Sequence, residues 1–139
     1  MTLPRDYVRA FQDFEQFLGD LKDSTLLATH NVAYAETRAV LHVFRRRLTA
    51  EQGLAFATVL PPLLRALFVE DWPIGAPVAR FGDPDDLAAE VAAEREPHNV
   101  APSSAIADVA ATLRRHVDRV ALDQVLAALP DGARAYWRA

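Results

Sequence analysis

The chain of 139 residues contains no cysteine, which rules out disulfides, thiolate metal sites and a cysteine nucleophile together. It has a single lysine, Lys22, and a formal charge of −4, so it lacks the broad basic field on which non-specific nucleic-acid binding depends. None of its three serines, Ser24, Ser103 and Ser104, stands in a GxSxG nucleophile elbow. Five glycines are too few for a phosphate-cradling loop, since Gly75 and Gly82 lie seven apart in a proline-rich stretch with no Gly-Lys-Ser/Thr after them. No run approaches the roughly 20 apolar residues that span a bilayer. The opening "MTLPRDYVRAFQDF" places charges where a signal peptide has its apolar core. These absences lead us to expect a cytoplasmic protein with neither nucleic-acid nor membrane partners.

What is present is an ordinary globular composition, 51% hydrophobic and 24% charged, at a length suited to one domain over residues 1–139. Self-similarity organises it. "FRRRL" at 44–48 matches "LRRHV" at 113–117, and "LPPLLRALF" at 60–68 matches "LPDGARAYW" at 129–137, both at an offset of 69. The tetrapeptide "HNVA" also occurs twice, at 30–33 and 98–101. The expected architecture is all-α: two pseudo-repeats of about four helices, over 5–72 and 83–139, packed into one compact helical domain and joined by a connector over 70–84.

Apolar spacing supplies the helices. Val40, Leu41, Phe44 and Leu48 form one buried stripe, and Val109, Ala110, Leu113 and Val117 repeat it, with arginines expected on the opposite face. Tyr7, Phe11, Phe14, Leu18 and Leu21 alternate spacings of four and three, the seam of a helix packed along its length. Leu87 and Val91 are the weaker counterpart in the second half. Thr49 with Gln52 is a capping box that opens a helix carrying Phe56, Ala57 and Leu60 inward. Pro61–Pro62 ends that helix and seats the next, Pro130 is expected to do the same in the second half, and Asp83–Pro84 opens a fifth helix. In the connector, Trp72, Ile74, Val78 and Phe81 are apolar enough to insert between helices.

Each "HNVA" is read as a turn just before the best apolar stripe, with Asn for turn chemistry, Val as a hydrophobic staple and His in solvent. The sharper alternative is a metal held by His30 and His98, but two histidines without HExxH or ExxH spacing fall short of the usual three or four ligands. Ser103 and Ser104 sit where a helix start wants hydroxyls. The acids of "DPDDLAAEVAAERE" at 83–96 suit a helix start and a wet face. Phe68 and Trp137, equivalent in the repeat, read as core. The arginines Arg45–Arg47 and Arg114–Arg115 recur in the last turn of their helices, where positive charge complements the carbonyl end. Arg45, Arg46, Arg114 and Arg115 are accordingly the candidate face for an acidic partner or anion, because the guanidinium fork pairs with carboxylate and phosphate oxygens.

The segments "ETRAVLHVFRRRLTAEQGLAFATVLPPLLRALFVEDW" at 36–72, "DPDDLAAEVA" at 83–92 and "VLAALPDGARAYW" at 125–137 resemble the domain of unknown function 2267 family of bacterial proteins. The resemblance covers nearly the whole chain and implies a tandem-repeat, all-helical cytoplasmic protein with no established activity, cofactor or partner. It supplies no catalytic residues to transfer. The second half departs from the pattern, with "VDRVALDQ" where the first has "LTAEQGLA", so a less sharply started helix is expected there.

The leading functional expectation is a non-enzymatic interaction module, binding another protein or a second copy of itself as a homodimer, with no catalytic, cofactor or metal residues. The alternative is a regulatory domain that binds a small anionic ligand between the two repeats. An enzyme with an unrecognised site is the third reading.

Overall fold

A computed structural model describes residues 3–25, 29–94 and 103–138. Among these residues it holds eight helices and no strand: α1 (Arg5–Thr25), α2 (His30–Arg45), α3 (Ala50–Ala57), α4 (Pro62–Val69), α5 (Pro84–Glu94), α6 (Ala105–Arg114), α7 (Arg119–Ala127) and α8 (Ala133–Tyr136). α2 is the central element, packed by α1, α4, α5 and α6, while α3 and α7 lie together and α7 reaches α8. None of the described helices is long and apolar enough to cross a membrane.

Helix starts follow local chemistry. At α3 the Thr49 hydroxyl accepts from Gln52 N at 3.2 Å and Gln52 Oε1 accepts from Thr49 N at 2.8 Å, the reciprocal box expected there. Pro62 is the first residue of α4 and Pro84 of α5, whose first turn carries Asp85 and Asp86. α2 begins differently from the expectation. Thr29 is its cap, accepting from Val32 N at 3.1 Å, so His30 and Asn31 are already helical and Val32 stands too far in to be the residue before the cap. The second "HNVA", with His98, lies outside the described residues.

Ser104 occupies the cap position of α6, but its hydroxyl donates to Asp108 Oδ2 at 2.8 Å and makes no cap bond. α7 starts more sharply than expected, because Asp118 accepts from Ala121 N at 3.1 Å; only the reciprocal glutamine of the box is lost. Pro130 does not seat α8. The helix opens at Ala133 behind Gly132, whose φ of 102° turns the chain through the left-handed region, and it runs for only four residues.

The core is continuous across the chain. Phe44 on α2 meets Phe56 at 4.8 Å, Tyr136 at 5.1 Å, Trp137 at 5.3 Å and Phe81 at 5.9 Å between ring centroids. Phe56 lies in turn against Phe68 and Trp137, at 5.1 and 5.5 Å. The buried Tyr136 hydroxyl donates to Val40 O at 2.7 Å across 96 residues of chain, and burial holds its pKa above the usual tyrosine value. Trp137 Nε1 finds no oxygen or nitrogen acceptor among the described residues.

Two expectations about burial need correction. The seam of α1 is covered only toward its C-terminal end: Ala10, Phe17, Leu18 and Leu21 are buried and Phe14 half-buried, whereas Tyr7 and Phe11 are 69% and 60% exposed. A spacing of four and three fixes which residues share a stripe, not how far the neighbouring helices extend along it. In the connector, Trp72 and Phe81 do pack on the core, but Ile74 and Val78 remain exposed.

Gly132 is the most constrained turn in this arrangement. A Cβ there would lie 2.6 Å from Phe81 Cβ in addition to its unfavourable φ. Gly132→Ala is expected to destabilise the fold by about 2–4 kcal/mol, the sum of a left-handed residue and an overpacked contact. Urea denaturation measures this directly, and an unchanged midpoint would show that the turn relaxes freely.

Candidate functional site

The polar residues on α2 define the site. Arg38, His42, Arg45 and Arg46 stand at i, i+4, i+7 and i+8, so one helical stripe carries all four. With Trp72, Ile74 and Val78 of the connector they line a cleft of about 450 Å³, within the range of about 300–1,000 Å³ common for small-molecule sites. Asp71 and Glu94 also reach its wall.

His42 and Arg45 form the buried part. His42 Nε2 lies 2.8 Å from Leu67 O; a carbonyl only accepts, so Nε2 carries the proton and Nδ1 is the acceptor nitrogen. Burial, reinforced by the charges of Arg45, Arg38 and Arg46, holds His42 down at about 4 against a partial lift from its bond to Leu67. It is therefore neutral at physiological pH. Arg45 donates through Nη1 to Phe68 O at 2.8 Å and Glu70 O at 2.6 Å, and its guanidinium lies 5.7 Å from the centre of the Trp72 ring. Burial and then the charges of Arg38 and Arg46 lower its pKa to about 10, with Asp71 and Glu70 opposing. It stays cationic.

Arg46 and Arg47 tie α2 to α5. Arg47 donates through Nη1 and Nη2 to the two oxygens of Glu90, at 2.5 and 2.8 Å, and through Nη1 to Val43 O at 2.8 Å. The paired hydrogen bonds raise the Arg47 pKa and lower that of Glu90, with desolvation opposing in both. Arg46 is exposed and bonds Glu94 and, at 3.2 Å, Glu90. Thus Glu90 and Glu94, expected on a wet face, are ion-pair partners. Arg45 and Arg47, expected opposite the apolar stripe, are buried, because carbonyls and a carboxylate at the inner end of α2 offer them more than solvent does.

Arg114 repeats the role of Arg45 in the second half. Its Nε donates to Trp137 O at 2.8 Å, as Arg45 Nη1 does to Phe68 O, and both bonds span 23 residues. It also bonds Asp123 Oδ1 at 3.0 Å. With Arg119, Arg134 and Arg138 it lines a separate, open depression of about 490 Å³.

Of the four arginines singled out from sequence, Arg45 and Arg46 meet at the first cleft, Arg114 stands at the second, and the exposed Arg115 lines neither. Arg38 and His42 on α2 were missed, although the i, i+4, i+7 spacing of Arg38, His42 and Arg45 was there to be read; Arg47, named in the arginine run, lines neither cleft. His30 is exposed at the start of α2. Among the described residues, no group of three or more His, Asp or Glu side chains could hold a metal ion.

The fold and its sites define an all-helical protein with two arginine-lined clefts. Residues 14–136 match the family model of an uncharacterized conserved protein, DUF2267, and the chain belongs to that family. No curated protein matches the chain at a significant level.

The depressed His42 has a consequence for stability. Its folded pKa of about 4 lies below the ordinary value of 6.5, so the unfolded chain binds more protons between those values. Stability from this group is complete above pH 6.5 and is lost as pH falls toward 4, by up to about 3 kcal/mol. Glu90, also depressed, adds a loss below its ordinary value of 4.5. Urea unfolding from pH 7.5 to 4.5 is expected to show this decline in the native chain and a shallower one in His42→Gln; parallel slopes would rule out His42 as its source.

Proposed function

We propose that this protein is a non-catalytic binding domain whose α2–connector cleft takes a small anionic ligand with an apolar part. The observation that carries the reading is the clustering of Arg38, Arg45 and Arg46 around an uncharged His42, facing the apolar Trp72, Ile74 and Val78. Arg38 pairs with Glu70 and Arg46 with Glu90 and Glu94, and their remaining N–H groups are the charge-assisted donors for a carboxylate or phosphate, while the connector offers an apolar wall to the rest of the molecule. His42 suits binding better than catalysis: with a pKa near 4 it is a weak base at neutral pH, and its N–H is committed to Leu67 O. On this reading the ligand of the sequence-based alternative sits beside the connector and not between two repeats.

The test uses hexanoate and phenyl phosphate as probes, with hexylamine as the cationic control, followed through Trp72 fluorescence and melting temperature. Trp137 is fully buried, so it is a quiet background. The anions are expected to change Trp72 emission and to add about 2.7 kcal/mol of stability at 100 times their dissociation constant. Arg38→Gln with Arg46→Gln should weaken binding about tenfold or more. An absence of response to both anions, or an equal response to hexylamine, would sink the proposal.

The leading expectation from sequence, protein interaction or self-association, is supported by a different observation. Leu3, Tyr7, Val8 and Phe11 leave the start of α1 with an uncovered apolar surface. On this second reading the surface pairs with a second copy, and sedimentation equilibrium should show a concentration-dependent dimer that Phe11→Ser abolishes. A monomer at every concentration removes it.

We also read the two halves as copies of one unit. Supporting this, Thr49 and Asp118 cap α3 and α7 at an offset of 69, and the Arg45–Phe68 and Arg114–Trp137 bonds are related by the same offset.

A further inference from the structure

We propose that the depression lined by Arg114, Arg119, Arg134 and Arg138 is a second anion site, suited to a small molecule bearing a phosphate or diphosphate group. Four guanidiniums converge there with one carboxylate, Asp123, on a chain whose formal charge is −4. Arg114 is fixed by its bonds to Trp137 O and Asp123. The other three form no ion pair or side-chain hydrogen bond among the described residues. Three exposed guanidiniums with no carboxylate partner among the described residues rim one concavity of about 490 Å³, which disfavours cations there and favours an anion. A single carboxylate would neutralise only one. A phosphate dianion or a diphosphate matches the charge and offers oxygens to several guanidinium forks at once.

Comparison with positions 69 earlier shows that this cluster belongs to the second half alone. Arg119, Asp123 and Arg138 stand where the first half has Ala50, Leu54 and Val69. Arg134 stands where it has Arg65, which is spent on the carbonyls that end α3, donating to Ala57 O at 3.0 Å and Leu60 O at 2.9 Å. α4 begins at Pro62, three residues before Arg65, whereas the left-handed turn at Gly132 delays α8 to Ala133, so Arg134 enters on its second residue. Arg134 makes no corresponding bond, and its guanidinium is left for the depression. A long nucleic-acid strand is a poor occupant, because the positive surface is one concavity on an acidic protein and not a stripe.

The site is tested by isothermal titration of the intact chain with sodium pyrophosphate and with inorganic phosphate, at constant ionic strength set by chloride. Pyrophosphate is expected to bind, and more tightly than phosphate. Arg134→Gln with Arg138→Gln, both exposed positions, should weaken it about tenfold or more while the circular dichroism melt is retained. Arg119→Gln provides a second, independent loss. Arg115→Gln, and Arg38→Gln with Arg46→Gln at the other cleft, should stay within about twofold, the reach of a distant surface charge through salt. That last pair separates this site from the α2–connector cleft, so either can fail alone. No heat at millimolar pyrophosphate, or an equal loss in the control variants, would overturn the proposal. A single-stranded oligonucleotide that binds more tightly than pyrophosphate, with affinity rising with length, would overturn the small-molecule assignment.

Discussion

The last turns of α2 hold a concentration of buried polarity that the rest of the fold is arranged to satisfy. Residues 39–45 are all buried, and two of them, His42 and Arg45, bring hydrogen-bonding groups inside, with Arg47 following. A buried donor left without a partner costs about 1–3 kcal/mol, and more if charged. Outside α2, the partners come from three places: the carbonyl end of α4 through Leu67 and Phe68, the connector through Arg80 O, and α5 through Glu90. Those bonds dictate how each element approaches α2. α4 must point its C-terminal end at Arg45, and the connector must run across the end of α2, where Ala79 N also donates to Arg46 O at 2.9 Å.

Hydrophobic burial and this polar set act on the same helix from different sides. Val40, Leu41, Val43 and Phe44 carry the apolar contacts, which supply most of the favourable energy but little direction. The arginines supply direction, because a planar guanidinium accepts only certain placements of carbonyl and carboxylate oxygens. The same division recurs at α6, where Leu113 is core and Arg114 reaches Trp137 O. Recurring arginines thus serve the fold first. At one cleft Arg38 and Arg46 are only partly taken up, by Glu70 and by Glu90 and Glu94, whereas Arg119, Arg134 and Arg138 at the other are engaged by no side chain among the described residues.

This explains what could and could not be read in the sequence. The stripes at 40–48 and 109–117, the capping box at Thr49 and the prolines at 62 and 84 are local signals, and the structure carries them as expected. The burial of Arg45 and Arg47 was not legible, because it depends on carbonyls and a carboxylate 23 to 43 residues away. The α1 stripe failed for the same reason: Tyr7 and Phe11 follow the pattern but stay exposed, since burial depends on how distant segments pack. Asp118 is legible in the sequence, since Asp caps as well as Thr, and the missing glutamine removes only the reciprocal half of the box. The clefts themselves assemble side chains from separated segments, and the one sequence trace of the first is the helical spacing of Arg38, His42 and Arg45.

The aromatic centre also has a consequence for biosynthesis. The rings that close over Phe44 and Phe56, those of Tyr136 and Trp137, are synthesised some 80 residues or more later. Until those residues are synthesised Phe44 and Phe56 lack two of the rings that cover them, and exposed apolar surface of that kind recruits chaperones or aggregates. The aromatic centre is complete only once Tyr136 and Trp137 are in place.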